Sequence, residues 1–320
     1  MCTGEQRSRS AVCRSHKKGF RFMTVFRVLQ YGIEYFFVKG VVFIISHLPW
    51  RWNRKTAGFF LPLMSLLGYK KLAVRNIRLA EIDVPKEGAA LKAFVREVLI
   101  QNILTYIEMI HLFRMKREDV EKVISIENED VLQKLYAQYP GVIFVLGHLG
   151  NWELMGQIVA YKGYPLSVIA RKQNNPYTDR LINRMREKSG IKLIFRDRQA
   201  VPKVMRLLRE GHGVAILNDQ DGGIAGVTTT FLGRRCSTPH GPVVFALKTG
   251  CPVSFVTIRR LKDGTSVGHF GEPIFLKRHS EDLDEDIRVS LQFLIDKLEA
   301  AVKENPAQWN WLANRWRTQR

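Results

Sequence analysis

The sequence predicts an α/β protein, with a mixed and largely parallel sheet that is flanked by helices and preceded by a helical N-terminal section. Two regions with different sequence patterns indicate this class. From Gly141 onward, short β-branched runs alternate with stretches of helical periodicity, which is typical of a sheet with crossover helices. Before residue 138, apolar residues such as Leu91, Phe94 and Val98 recur at three- and four-residue spacing. We therefore predict a helical section at 25–137 and a catalytic α/β region at 138–320, which together form one continuous domain.

The N-terminal section combines a basic leader with an apolar stretch. Residues 1–24 form the leader, for which order and disorder both stay open, and Val25–Leu48 is apolar but interrupted by three charged side chains. The densest apolar part, Phe36–Leu48, is shorter than the roughly 20 residues that cross a bilayer. We expect a helix that lies in or dips into a membrane face. A buried helix of a soluble bundle is the alternative.

The α/β region is predicted from its β-branched runs and its helix-end signals. Asn175 followed by Pro176 is a cap and first-turn pair, and Gly190 stops the same helix. Acidic residues after Ser280 favour the first turn of the last helix. The predicted strands are Val142–Leu146, Ser167–Ala170, Lys192–Phe195, Val214–Leu217 and Val253–Ile258. The predicted helices lie near 152–162, 176–189, 201–210, 241–249 and 282–303.

The composition limits the partners. A formal charge of +20 favours an anionic partner, such as nucleic acid, an anionic membrane surface, an acidic protein or a phosphorylated substrate. Nucleic acid is not expected, because aromatic residues do not interleave with the basic clusters. Cys2, Cys13, Cys236 and Cys251 lack the CxxC spacing of a zinc site or a disulfide framework, which favours a reducing, cytosol-facing location.

The heptapeptide GHLGNWE, residues 147–153, carries the main chemical signal. It follows the first predicted strand, and ligands bind at the carboxyl ends of strands in such sheets. Its two glycines permit a sharp turn, and Asn151 is a good cap for the next helix. From the first helical turn, Glu153 can reach the His148 imidazole and stabilise the imidazolium that forms on proton uptake. We therefore predict His148 as a general base that Glu153 orients.

The surroundings of this pair in the sequence limit its chemistry. The chain has no GxSxG motif and no cysteine near His148, which favours direct attack by a substrate hydroxyl over a covalent acyl-enzyme. The zinc-binding HExxH spacing is absent, so no metal is expected. The alternative interpretation is a core histidine that bonds a backbone carbonyl.

GHLGNWE resembles the H-x4-D/E block of the glycerolipid acyltransferases, and its residues are similar to those of this block in the bacterial lipid A late acyltransferase family. The family's second block resembles residues 170–190, with Arg171 after a strand, and its third resembles 218–249, which begins with NDQD. The fourth block resembles 251–253, and the tail ENPAQWNWLANRWRTQR is similar to the family's ending. The family commonly has a proline after DQD, which this chain lacks. This difference leaves the identity of the acceptor open.

The resemblance implies a glycerolipid-acyltransferase-like fold that needs no cofactor. Such enzymes move a fatty acyl chain from an acyl carrier protein to a hydroxyl of a membrane glycolipid, a lipid A precursor, at the cytoplasmic face of the bacterial inner membrane. Arg171 is expected to hold a phosphate, phosphopantetheine or oxyanion, with a solvated surface charge as the alternative. The other expected substrate-binding residues are Asn151, Asp219, Asp221, Gly233, Thr238 and Gly241.

Two of these expectations keep alternatives. One of Asp219 and Asp221 either supports the His–Glu pair or caps a loop. The basic segment 180–188 and the tail residues Arg315, Arg317 and Arg320 either dock the acidic carrier and an anionic leaflet or are solvated surface charges.

The competing functions are acyl transfer to a lysophospholipid or another glycolipid, the use of acyl-CoA as donor, thioester hydrolysis, and a non-enzymatic basic surface that binds membranes or nucleic acid.

Overall fold

A computed structural model describes residues 27–318 of the chain. The predicted leader 1–24, its Cys2 and Cys13, and the basic tail residue Arg320 lie outside these residues. The helices are α1 Arg27–His47, α2 Asn53–Phe59, α3 Leu61–Leu66, α4 Tyr69–Leu79, α5 Gly88–His111, α6 Arg117–Glu121, α7 Glu129–Gln138, α8 Trp152–Tyr161, α9 Pro176–Lys188, α10 Ala200–Arg209, α11 Gly241–Thr249 and α12 Leu283–Glu304. The strands are β1 Ile124–Ile126, β2 Val142–Leu146, β3 Leu166–Ala170, β4 Lys192–Phe195, β5 Gly213–Leu217, β6 Val227–Phe231, β7 Arg234–Thr238, β8 Val253–Arg260 and β9 Ser266–Phe270.

Seven strands form one mixed sheet in the order β1-β9-β8-β2-β5-β3-β4, which confirms the predicted fold class. The five strands from β8 to β4 are parallel to one another, and β9 pairs with β8 in the antiparallel sense. The carboxyl ends of the five parallel strands therefore meet at one edge of the sheet, with β2 near its centre. This edge is called the carboxyl edge below.

Strand β2 is buried on both faces, as its continuous apolar sequence VIFVL predicts. Ile143 and Val145 face the core beneath α10, α11 and α12, whereas Phe144 and Leu146 face the core beneath α7, α8 and α9. Each such side chain contributes about 1.5–3 kcal/mol on burial. The strand is thus a rigid support for the turn that follows it.

The predicted strands and helices of the α/β region are present within a few residues of their expected bounds. The prediction missed β1, β9 and the β6–β7 hairpin. Strand β1 has only three residues, and the hairpin sequences VTTTF and RRCST are too polar to show an apolar strand pattern. The last helix begins after Asp282, whose side chain accepts the amides of Asp284 and Glu285.

Helix α1 has 21 residues, more than its densest apolar run suggested. Within the described residues, it is the one helix that is long and apolar enough to cross a membrane. Its middle is open to solvent, since Phe36 and Phe37 are each 72% exposed, while Ile45 near its end packs with residues of α2 and α5. The helix is a candidate membrane anchor whose C-terminal end is attached to the folded domain.

Candidate active site

The turn between β2 and α8 carries His148 at the centre of the carboxyl edge. Gly150 in this turn has a φ of +60°, and a Cβ atom on it would lie 2.5 Å from the carbonyl oxygen of Ile258. The turn therefore requires glycine both for its conformation and for its close approach to β8. Asn151 caps α8 as predicted, because its Oδ1 accepts the amides of Glu153 and Leu154.

His148 is paired with Asp219, which follows β5. The His148 Nδ1 atom lies 2.6 Å from Asp219 Oδ1. The other carboxylate oxygen of Asp219 accepts the His148 backbone amide at 2.7 Å and the Trp309 indole N–H at 2.9 Å. Asp219 is 2% exposed and the His148 side chain 14% exposed, so the acid is buried and the imidazole reaches the surface.

The contacts of Asp219 favour its ionised form. Burial alone would raise the pKa of this carboxyl, but the His148 ring, the His148 amide and the Trp309 indole outweigh burial and hold the pKa below its usual range. An ionised carboxylate only accepts hydrogen bonds, so the proton between the two residues is on His148 Nδ1. The Nε2 atom then carries the free lone pair of a general base.

The Nε2 side of His148 faces the open carboxyl edge. The side-chain amide of Gln220, an exposed residue, lies 3.4 Å from Nε2. The Trp152 ring packs edge-on against the imidazole, with 4.5 Å between the ring centroids. Asp219 occupies Nδ1, on the other side of the ring, so a substrate hydroxyl at Nε2 would not compete with it.

The predicted contact between Glu153 and His148 is wrong. Glu153 pairs with Arg186 of α9, whose Nε lies 3.0 Å from Glu153 Oε2 and whose Nη2 bonds Oε1. Within residues 27–318, no hydrogen bond joins Glu153 to His148. The reason is that Asp219 already occupies Nδ1, and the largely buried Arg186 guanidinium needs a carboxylate partner.

Glu153 stabilises the charged form of Arg186. Burial alone would lower the pKa of Arg186, but its bonds with Glu153 outweigh burial and raise the pKa. The pair joins the first turn of α8 to α9, next to the turn that carries His148. A direct catalytic role for Glu153 stays a prediction, and its observed contacts are those of a positioning residue.

A buried ion pair supports the His148 turn through Asn151. Arg260 of β8 donates to both oxygens of Glu108 in α5, at 2.6 and 2.7 Å. Glu108 also accepts the Asn151 side-chain amide at 2.8 Å, and Thr105 donates to the Gly150 carbonyl at 2.9 Å. Both polar atoms of Asn151, which is fully buried, are thus used by the protein, and the predicted contact of Asn151 with substrate is not supported.

The C-terminal tail contacts both His148 and Asp219. The Asn310 amide donates to the His148 carbonyl at 3.0 Å, and Trp309 reaches Asp219 as described above. Arg315 is fully buried and donates to the Gln220 carbonyl at 3.1 Å, so it is not the surface docking charge that the sequence suggested. Burial lowers the pKa of Arg315. Sequence reasoning missed Trp309 and Arg315 as site residues, and the only signal for them was the family-like tail.

The remaining predicted residues lie around the same edge or in the hairpin. Arg171 is exposed just after β3. Asp221 accepts the Thr318 hydroxyl at 2.9 Å, and Thr238 accepts a bond from Arg315 at 2.6 Å. Gly233 has a φ of +73° at the turn of the β6–β7 hairpin, where a Cβ would collide with Glu81, and Gly241 begins α11. Their predicted contacts with substrate stay predictions.

The described residues contain no group of three or more His, Cys, Asp or Glu side chains that could hold a metal ion. Cys236 and Cys251 are free thiols in the core. The chemistry that this site offers is proton transfer by a buried carboxylate–imidazole pair with an exposed Nε2.

Comparison with known proteins indicates the family of this chain. A phosphatidylinositol mannoside acyltransferase of Mycolicibacterium smegmatis is 22% identical over 179 residues, which cover 55% of this chain and 57% of that protein. A protein of the same name from Mycobacterium tuberculosis is 24% identical over 191 residues, 58% of each chain. The chain thus matches less than three fifths of the length of these relatives. The model of the bacterial lipid A biosynthesis acyltransferases matches residues 20–318, and the chain belongs to that family.

Proposed function

We propose that this protein is an O-acyltransferase that moves a fatty acyl chain from a thioester donor to a hydroxyl of a membrane glycolipid. The observation that carries the proposal is the His148–Asp219 pair, which presents a basic nitrogen at the open carboxyl edge. Membership of the lipid A acyltransferase family supports acyl transfer as the reaction.

The reaction begins when His148 Nε2 takes the proton of the acceptor hydroxyl. The hydroxyl oxygen attacks the carbonyl carbon of the thioester, and the resulting tetrahedral intermediate collapses by breaking the C–S bond. The imidazolium then returns its proton to the departing thiolate, so the products are an ester and a free thiol. Asp219 stabilises the imidazolium during this cycle and holds the ring with Nε2 directed outward.

For the donor we propose acyl carrier protein, with acyl-CoA as the alternative, because an acidic carrier complements a chain of formal charge +20. For the acceptor we propose a lipid A precursor. A phosphatidylinositol mannoside is the second candidate, because the curated relatives carry that substrate in their names. We further propose that α1 anchors the protein at the cytoplasmic face of a bacterial inner membrane, which its length and exposed apolar side chains support.

The proposal is tested with the full chain purified in mild detergent. An acyl carrier protein thioester or a CoA thioester is mixed with a lipid A precursor, a phosphatidylinositol mannoside or a lysophospholipid. The masses of the lipids are then measured by mass spectrometry. We expect a mass gain of one acyl group that His148→Ala abolishes. The control is His279→Ala, which replaces an exposed histidine after β9, far along the chain from the catalytic turn.

Two outcomes would refute the proposal. Thioester hydrolysis that proceeds equally with and without every acceptor would indicate a thioesterase. Full function in cells that carry only the His148→Ala protein would indicate a non-enzymatic surface protein.

A further inference from the structure

The corner between α2 and α3 exposes a group of large apolar side chains. Phe59 at the end of α2 is 79% exposed, and Leu66 at the end of α3 is 84% exposed. Leu63 and Leu67, between and directly after them, are 48% and 60% exposed. Single exposed apolar residues are common on protein surfaces, whereas a group of them marks an interaction site. We call these four side chains the apolar corner.

The apolar corner is the outer face of a segment that is apolar on both sides. Its residues recur at a spacing of i, i+4, i+7 and i+8, and Phe60 between the two helices keeps right-handed helical backbone angles, so they share one face. The opposite face packs into a cluster with α1 and α5, to which Ala57, Leu61 and Met64 contribute. A segment that is apolar all round needs an apolar environment on both faces, and the protein provides only the inner one.

The sequence around the apolar corner carries positive charges only. Residues 35–80 contain eight lysines and arginines and no aspartate or glutamate. Lys55 precedes the corner and Lys70 and Lys71 follow it, and all three are exposed. An apolar face with basic flanks is typical of helices that lie at the surface of an anionic bilayer. The same charge disfavours a second copy of this chain as the partner, because two positive faces repel each other.

Helix α1, the candidate membrane helix, is attached to the folded domain near its start. Asn175, the cap of α9, donates to the Tyr31 carbonyl at 3.0 Å and to the Glu34 carboxylate at 3.1 Å. One turn further along α1, the Tyr35 ring lies 5.8 Å from the Tyr177 ring, measured between centroids. The first half of α1 therefore lies against the domain beside the carboxyl edge.

The second half of α1 is attached next to the apolar corner. Val41 and Ile45 belong to the same apolar cluster as the inner face of α2 and α3. Only residues 36–40 separate this attachment from the one at Tyr35, whereas roughly 20 residues are needed to cross a bilayer. While both attachments hold, α1 lies along a membrane surface and not across it. Its exposed face, which includes Phe36 and Phe37, then points to the lipid.

Helix α5 connects the apolar corner to the catalytic turn. Ile103 and Ile107 of α5 pack in the cluster behind the corner. Thr105 and Glu108 of the same helix bond the turn that carries His148. A membrane contact at the corner therefore determines how far the catalytic turn lies from the lipid surface.

We propose that the apolar corner inserts into the same lipid leaflet as the exposed face of α1, so that these residues bind one side of an anionic bilayer without crossing it. The corner is a second contact beside α1, and two contacts fix the orientation of the domain, which a single helix leaves variable. The use of this orientation in acyl transfer rests on the proposed function, whereas the membrane contact itself does not.

The first experiment measures how deeply single residues enter a bilayer. Leu66→Cys in the corner, Phe37→Cys in α1 and, as a control, Val289→Cys on the exposed side of α12 are each made in the full chain. Both leader cysteines are first replaced by serine, and the two other cysteines are buried. An NBD fluorophore on each cysteine is then observed in vesicles of phosphatidylethanolamine and phosphatidylglycerol that contain lipids spin-labelled at known depths.

We expect the fluorophores at residues 66 and 37 to lie at similar depths, about 5–10 Å into the boundary between headgroups and acyl chains, and the one at residue 289 to stay in water. A fluorophore at residue 37 near the bilayer centre, roughly 15 Å deep, would show that α1 crosses the membrane and would overturn the proposal. A fluorophore at residue 66 that stays in water would overturn the corner as a membrane contact.

The second experiment compares two variants that each replace two exposed apolar residues by glutamate. Leu66→Glu with Leu67→Glu changes the corner, and Leu283→Glu with Val289→Glu changes α12. Flotation of the full chain with the same vesicles, over a range of lipid concentrations, gives the partition coefficient of each variant. No turnover is measured, so the result does not depend on whether acyl transfer occurs.

We expect the corner variant to bind the vesicles on the order of 100-fold more weakly, at about tenfold for each leucine that leaves the apolar phase, and the α12 variant to bind them as the parent protein does. Equal partition coefficients of the two variants would overturn the proposal. A corner variant that keeps its affinity for vesicles but loses affinity for acyl carrier protein would assign the corner to the donor instead.

Discussion

The identity of the carboxylate that supports His148 leads to the sharpest prediction. The sequence favours Glu153, whereas the structure places Asp219 on the imidazole and Glu153 on Arg186. We therefore expect Asp219→Asn to abolish most of the turnover and Glu153→Gln to act mainly on stability. Both changes keep the size of the side chain and remove one charge, so each is a control for the other.

The contacts of Asp219 fix how the asparagine would orient. Its Oδ2 position receives two N–H donors, the His148 amide and the Trp309 indole. The amide oxygen of asparagine must take this position, because its NH₂ group would face two donors there. The NH₂ group then points at His148 Nδ1 and forces that nitrogen to accept, which moves the ring proton to Nε2. The nitrogen that faces the substrate then has no lone pair with which to accept the hydroxyl proton.

The magnitude follows from the lost charge pair and the altered tautomer. Two unit charges about 4 Å apart at an effective dielectric constant of about 20 interact by about 4 kcal/mol, which corresponds to roughly three orders of magnitude in rate. Asp219 is 2% exposed, which makes screening by bulk water small. A related asparagine substitution in serine proteases costs about 10⁴ in kcat through the wrong tautomer. We expect a loss of kcat between these values.

Glu153→Gln leaves the Arg186 guanidinium without a charged partner. Removing one partner of a buried ion pair lowers the free energy of unfolding by about 3–5 kcal/mol. Because the Arg186 side chain is 18% exposed, we expect a loss at or below the lower end of this range. Arg186→Met in the same chain is expected to recover part of this loss, since no unpaired charge then remains. Turnover per folded molecule is expected to fall far less than in Asp219→Asn.

The assay is steady-state acyl transfer at saturating donor and acceptor, which gives kcat, normalised to the folded fraction from circular dichroism. A larger loss of turnover in Glu153→Gln than in Asp219→Asn would refute the assignment of Asp219. So would a loss in Glu153→Gln that Arg186→Met does not change, because it would mean that Glu153 acts on His148 directly.

Three further predictions concern the frame of the site. Gly150→Ala combines a left-handed backbone with a backbone clash and is expected to cost more in urea unfolding than Gly163→Ala, which has a φ of +91° and nothing within 4 Å; equal costs would contradict the close approach. Glu108→Gln leaves Arg260 buried without a carboxylate and should lower the free energy of unfolding by about 3–5 kcal/mol, which an unchanged melting temperature would exclude. Burial lowers the pKa of His111 to about 4, so the stability that neutral His111 contributes is complete above its usual pKa of about 6.5 and declines as the pH falls towards 4. Thermal scans of His111→Gln should therefore show a flatter pH dependence of stability in that window. A curve parallel to that of the parent protein would contradict this prediction.

The sequence predicts the parts of the site that are local in the chain. A continuous apolar run followed by glycines and a capping asparagine places His148 at a strand end, because strand burial, turn conformation and helix capping depend on neighbouring residues. The cap at Asn151 and the strand Val142–Leu146 are both confirmed. The partner of the imidazole was not predictable in this way, since it depends on which strand lies beside β2.

The other parts of the site depend on contacts between residues that are far apart in the sequence. Strand β5 neighbours β2 although 66 residues separate Leu146 from Gly213 in the sequence, and this pairing places Asp219 next to the catalytic turn. Trp309 and Arg315 come from still further along the chain, in a tail without regular secondary structure. No periodicity marks such residues. The same limit explains why Arg315 was predicted as a surface charge although the fold buries it completely.

Three separate parts of the chain contact the His148 turn or its carboxylate, and this explains how the imidazole is placed accurately at the carboxyl edge of the sheet. Helix α5 supplies Glu108, β8 supplies Arg260, β5 leads to Asp219, and the tail supplies Trp309. Glu108 accepts the Asn151 side chain, Asp219 accepts the His148 amide and ring, and Trp309 donates to Asp219, so none of these contacts involves the loops after β3 and β4.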